Sequence, residues 1–122
     1  MILVDTSVWI DHLRSGDPQL TALLSNDSVL VHSFVIGELA LGTLRQPGVV
    51  IDSLNGLPKA VKADDSEVLQ LIQERKLAGL GIGYVDAHLL ASALLTENAS
   101  LWTRDKRLKE VAAGLYIAAP IH

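Results

Sequence analysis

The chain has 122 residues, enough for one domain that buries roughly two-thirds of its unfolded surface. Its 49% apolar composition and mean hydropathy of +0.33 imply surface covered by a partner, while no apolar run reaches the ~18 residues of a membrane span and Asp5 arrives too early for a signal peptide. A net charge of −4 argues against a general nucleic-acid-coating surface, and zero cysteines exclude disulfides and thiolate metal sites and fit a reducing cytoplasm.

In chain order, Ile2-Leu3-Val4 reads as a first strand. Asp17-Pro18 is a helix N-cap followed by proline at the first helical position, opening a helix to about Ser25. Val29 to Val31 is a second strand, and Ser33 is expected to cap a helix ending near residues 42–44. Gln46-Pro47-Gly48 breaks the chain before a short helix over Val49 to Leu54. Ala60 to Lys62 is a weaker strand candidate. Asp64 with Glu67 three residues on fits a capping box for a helix to about Leu77. The glycine-rich stretch from Gly79 to Gly83 has neither G-x-G-x-x-G spacing nor a preceding strand, so it reads as a connector. A helix from Tyr84 to Thr96, a strand over Ser100 to Trp102, a helix from Asp105 to Ala113 and a short strand over Leu115 to Ile117 complete the chain. Strands this short and rich in Val, Ile and Leu belong to a parallel sheet covered on both faces. The expected fold is therefore α/β, a three-layer α/β/α sandwich formed by residues 1–122 as one domain.

Four acids stand in or beside apolar segments: Asp5 after the first strand, Glu38 within a helix, Asp86 in the first turn of another, and Asp105 after Leu101-Trp102-Thr103-Arg104. A carboxylate buried without a positive partner is costly, and no matching Lys or Arg is evident. Each has an ordinary structural reading alone. Asp5 and Asp105 suit helix N-caps, Asp86 a first-turn acid favoured by the helix dipole, and Glu38 an ion pair with Arg45. Together they are better explained by a shared divalent cation. Ligands of parallel sheets collect beyond the strands' carboxyl ends, where all four acids are expected to meet. Hard cations such as Mg²⁺ and Mn²⁺ prefer oxygen donors and retain waters, an arrangement suited to phosphodiester hydrolysis. Thr6, Ser7 and Thr103 are candidate supporting hydroxyls. Arg104, Lys106 and Arg107 are candidate phosphate contacts, with Arg14 and Arg45 weaker ones. Trp9, Trp102 and His88 read as packing residues, and His12, His32 and His122 show no metal-ligand spacing.

Ile2-Leu3-Val4-Asp5-Thr6-Ser7-Val8-Trp9-Ile10-Asp11, the Ser33 to Gly42 helix with Glu38, Asp86-Ala87-His88-Leu89-Leu90-Ala91 and Leu101-Trp102-Thr103-Arg104-Asp105 together resemble the PIN-domain ribonucleases of the VapC toxin type. The resemblance spans nearly the whole chain. It implies a PIN-like fold, Mg²⁺- or Mn²⁺-dependent endoribonuclease activity and an acidic site of Asp5, Glu38, Asp86 and Asp105. Thr6 or Ser7 and Thr103 are then supporting groups, and Asp11 lies outside the metal shell. It also implies a homodimer and a small cognate antitoxin blocking the cleft, which would account for the surplus apolar character. Two other classes fit less well. A receiver-like phosphoacceptor domain needs adjacent acids at the first strand and a late lysine, where this chain has a lone Asp5 and Thr103-Arg104-Asp105. A PIN-like binding module without catalysis would not need all four acids.

Overall fold

A computed structural model describes residues 1–121; His122 lies outside them. Three parallel strands, β1 (Ile2–Val4), β2 (Val29–Leu30) and β3 (Ser100–Trp102), pair in the order β2-β1-β3. Ile2 stands opposite Val29 on one side and Ser100 on the other. Successive strand residues point to opposite faces, yet Leu3 and Val4 are both fully buried, so helices cover both faces of the sheet. This is the expected three-layer α/β/α arrangement. No helix among the described residues is long and apolar enough to cross a membrane.

Seven helices surround the sheet: α1 (Thr6–Ser15), α2 (Pro18–Ser25), α3 (Ser33–Leu41), α4 (Pro47–Asn55), α5 (Asp65–Glu74), α6 (Tyr84–Leu95) and α7 (Lys106–Gly114). Their starts obey local chemistry. The Asp17 carboxylate accepts the Leu20 N–H ahead of Pro18, and Asp64 with Glu67 closes a reciprocal capping box. The core runs through the strands and includes Leu20, Leu89, Leu90, Leu101 and Leu108, all under 3% exposed; each such side chain stabilises by about 1.5–3 kcal/mol. Trp9 and Trp102 belong to the same core.

Four expectations need correction. Helix α1 carries no separate N-cap signal beyond Asp5 itself, and its polar residues Thr6, Ser7 and Asp11 dilute the apolar pattern. His32, not Ser33, caps α3: its Nδ1 accepts the Phe34 N–H at 2.9 Å. Helix α4 starts at Pro47 itself rather than Val49, because proline's fixed φ suits a first turn that has no side-chain cap. The strands expected over Ala60 to Lys62 and over Leu115 to Ile117 do not form; single parallel bridges stand just outside those ranges, Val31 with Lys59 and Leu101 with Ala118. Tyr116, at φ +61°, turns the chain out of extended geometry where the last strand was expected.

His32 is buried, and its Nε2 has no hydrogen-bond partner. Burial, with help from the nearby charges of His88 and Lys62, depresses its pKa from 6.5 to about 4. Because the folded pKa lies below the unfolded one, His32's contribution is full above pH 6.5 and is lost as pH falls towards 4. Urea titrations should show about 2–3 kcal/mol of stability disappearing across that window. His32→Asn keeps a capping side chain without a titrating ring and should flatten this part of the profile. An unchanged profile would show that the loss arises elsewhere.

Candidate active site

The strand order reverses at β1: the chain leaves it to form β2 on one side and later β3 on the other. A parallel sheet opens a crevice beyond the strand ends at such a point. Asp5 is the first residue past β1, and its N–H still pairs with the Trp102 carbonyl at 2.9 Å. It is the only one of the four acids that is buried, at 7% exposed. Its Oδ2 accepts the Ser7 hydroxyl at 2.7 Å, the Thr103 hydroxyl at 2.8 Å and the Ser7 N–H at 3.4 Å. Each hydroxyl in turn accepts a backbone N–H: Ser7 Oγ takes Arg104's and Thr103 Oγ1 takes Asp105's, both at 3.0 Å. Two short side chains thus join the start of α1 to the approach to α7 around one carboxylate.

The other three acids reach the same edge from helices. Glu38 extends from α3 and accepts the Thr6 hydroxyl at 2.6 Å. Asp86, in the first turn of α6, accepts the Gly83 N–H at 3.0 Å. Asp105 caps α7 by accepting the Leu108 N–H at 3.0 Å. The ordinary readings of Asp5, Asp86 and Asp105 as helix-start residues therefore hold, and they occupy only half of each group. In all four acids one oxygen takes these bonds, and the other has no donor among the described residues.

The premise of burial fails for two of the acids. Glu38 and Asp105 are exposed, because α3 turns Glu38 outward from its buried neighbours Val35, Ile36 and Leu39, and Asp105 lies in the open turn before α7. The ion pair of Glu38 with Arg45 does not form. Among the described residues none of the four acids has a Lys, Arg or His nitrogen within 4 Å.

A sequence pattern of the PIN domain matches residues 2–114, taking in all four acids. The chain belongs to the PIN-domain family. Ribonuclease VapC32 of Mycobacterium tuberculosis, from strains CDC 1551 / Oshkosh and ATCC 25618 / H37Rv, is 52% identical over 113 residues in each case. The alignments cover 93% of this chain and 91% of each relative, so the similarity extends over nearly the whole domain and points to the VapC type.

Within this PIN domain the acids feel one another. The Asp86 carboxyl is pushed above its ordinary 3.8, first by burial and then by the charges of Asp5, Asp105 and Glu38; the Gly83 N–H opposes the rise. As the side chains stand, no three carboxylate or imidazole groups among the described residues converge on a single coordination sphere. The donor set nevertheless suits a hard divalent cation. All its atoms are oxygens, each acid has one to spare, and among the described residues no Lys, Arg or His nitrogen lies within 4 Å of them. Glu38 and Asp105 are exposed and can change rotamer, whereas Asp5 is held.

The three candidate phosphate contacts beside Asp105, two arginines and a lysine, have different fates. Arg104 projects away from the acids, ion-paired through Nη1 to Asp11 and through Nη2 to Asp17, with its guanidinium over the Trp102 ring. That clamp joins residues 93 and 87 positions apart in the chain, and no local sequence signal announces it. Arg107 lies across Gly81, whose φ of +81° and lack of a Cβ leave it room. Lys106 is exposed at the start of α7. His88 is buried between the rings of Phe34 and Tyr84, away from the acids.

Thr103→Val should cost about 1–3 kcal/mol in chemical denaturation, since it removes a donor from Asp5 and strands the Asp105 N–H. In an Asp5→Ala background the same substitution should cost less. Equal cost in both backgrounds would mean that the hydroxyl does not act through Asp5.

Proposed function

We propose that this PIN domain is an Mg²⁺- or Mn²⁺-dependent endoribonuclease that hydrolyses RNA phosphodiester bonds as the toxin of a toxin–antitoxin pair. One observation supports the reading: the charges of Asp5, Asp105 and Glu38 all reach Asp86, and among the described residues each of the four acids keeps a free oxygen and has no cationic partner within 4 Å. The relatives named Ribonuclease VapC32 supply the substrate class.

Asp5, Glu38, Asp86 and Asp105 would hold the ion. When bound, the cation lowers the pKa of its water to give a nucleophile at neutral pH and offsets charge on the phosphate under attack. The protein's part is positional. Ser7 and Thr103 lock Asp5 into one rotamer, so the buried acid presents its free oxygen in a constant direction. Thr6 steers the exposed Glu38 through its hydroxyl. Asp86 must shed its proton before it can act as a ligand, and its raised pKa makes that step pH-sensitive. Lys106 and Arg107 stand beside Asp105 where phosphates flanking the scissile bond would pass. Arg104 holds Asp11 and Asp17, so its role is to fix α1 and α2 against the end of β3.

Exposed apolar side chains support protein partners for a chain working in the cytoplasm. Leu41 is 90% exposed, Val49 61%, Val61 49% and Leu69 52%, consistent with a homodimer and a bound antitoxin.

With Mn²⁺ or Mg²⁺, purified protein should cleave single-stranded RNA, and excess chelator should stop it. Asp5→Ala and Asp86→Asn should each lower kcat/KM by about two orders of magnitude or more while far-UV circular dichroism is unchanged. Mn²⁺ affinity, measured by calorimetry, should weaken as pH falls, because the metal-free Asp86 carboxyl holds its proton to a higher pH than an ordinary aspartate. Undiminished cleavage in chelator would refute the metal-dependent reading.

A further inference from the structure

A cleft of about 450 Å³ adjoins the acidic edge, formed by the last turns of α1 and α3, the loop between α3 and α4, and the start of α4. Glu38 belongs to both the cleft and the acidic cluster. Ile10, Leu13, Leu39 and Val50 make an aliphatic wall, and Arg14 and Arg45 also line the cleft. Both arginines are exposed, and neither has a carboxylate within 4 Å among the described residues, unlike Arg104. In the loop itself the N–H groups of Thr43, Leu44 and Arg45 have no acceptor among the described residues. The cleft therefore combines two guanidinium groups without a carboxylate partner among the described residues, several free backbone donors, an apolar wall and the Glu38 carboxylate.

From this charge layout we propose that the cleft is the subsite for a nucleotide adjoining the scissile phosphate. Arg14 and Arg45 grip backbone phosphate, and the aliphatic wall receives the ribose and base. The inference rests on the nuclease reading and extends it from the reacting phosphate to the strand beside it. An RNA backbone fits better than an apolar peptide, because an apolar peptide would leave both arginines unpaired in the interface. The volume lies within the range of clefts that hold small ligands. The wall carries no aromatic ring, so base stacking does not drive binding and sequence preference at this position should be weak.

The proposal predicts a KM effect. Arg14→Ala/Arg45→Ala should raise KM for a short single-stranded RNA about tenfold and change kcat little, since the groups bind phosphate without touching the reacting atoms. In the Asp86→Asn background, anisotropy of a labelled random-sequence RNA should show the salt slope falling by about 1.4 when both arginines are removed. Val50→Trp, which fills the cleft from its apolar side, should raise KM without altering the salt slope. Both arginines are exposed and unpaired, so thermal midpoints should not move. Unchanged KM and salt slope in the double variant would overturn the proposal. So would an unchanged KM accompanied by lost binding of a co-expressed small protein partner, because the cleft would then be a protein seat. Absence of metal-dependent cleavage by the unsubstituted protein would instead refute the nuclease reading, so the two failures are distinguishable.

Discussion

A single buried negative charge organises this structure. Asp5 sits buried at the end of the central strand, where a carboxylate is costly unless hydrogen bonds satisfy it. Compensation comes from two hydroxyls and an amide, all converging on Oδ2. Because each hydroxyl also accepts a backbone N–H from Arg104 or Asp105, the bonds that make the charge tolerable also fix the path from β3 into α7. The ends of β1 and β3, the entry to α1 and the cap of α7 are thus set together. Loosening any one of them exposes the others' unsatisfied groups.

This arrangement lets structural and chemical roles share one residue. A carboxylate has two oxygens, and the fold uses one in each acid. Asp5 and Asp105 cap helices, Asp86 closes back on Gly83, and Glu38 is restrained by Thr6. Capping therefore does not compete with ligand binding; it orients the remaining oxygen. The cost appears at Asp86, where partial burial and three like charges raise the pKa. A cation of high charge density relieves that repulsion more completely than a lysine or arginine could, because it can approach several oxygens at once.

Much of this was legible in the sequence. The four acids are separated by tens of residues, but each follows a strand or opens a helix in a parallel α/β pattern, and that topology alone sends them to one edge. Helix boundaries marked by Asp17-Pro18 and by Asp64 with Glu67 could be read because their capping chemistry is local. Helix α1 was not legible, since the residue that caps it is also the strongest candidate ligand and its first turn is polar for the sake of the site. The burial of the acids was only half legible. Periodicity places Glu38 within an apolar run, but the run is longer than the buried stripe of α3, and Glu38 falls on its open side. Likewise, a β-like composition at Leu115 to Ile117 could not reveal the left-handed Tyr116 that ends the extended path.

Sequence adjacency was least informative about cations. Arg104 stands next to Asp105 in the chain, where a phosphate contact would be expected, yet folding commits it elsewhere. Asp11 and Asp17 hold Arg104, and Arg107 spans Gly81. Arg14 and Arg45, which have no carboxylate within 4 Å among the described residues, come from the end of α1 and the loop after α3. An arginine already paired to two carboxylates must break both contacts before it binds a phosphate, whereas an unpaired one gives up only water. The cations that can bind a passing nucleic-acid strand are therefore those the fold leaves unneutralised. Arg14 and Arg45 line the same cleft as Glu38.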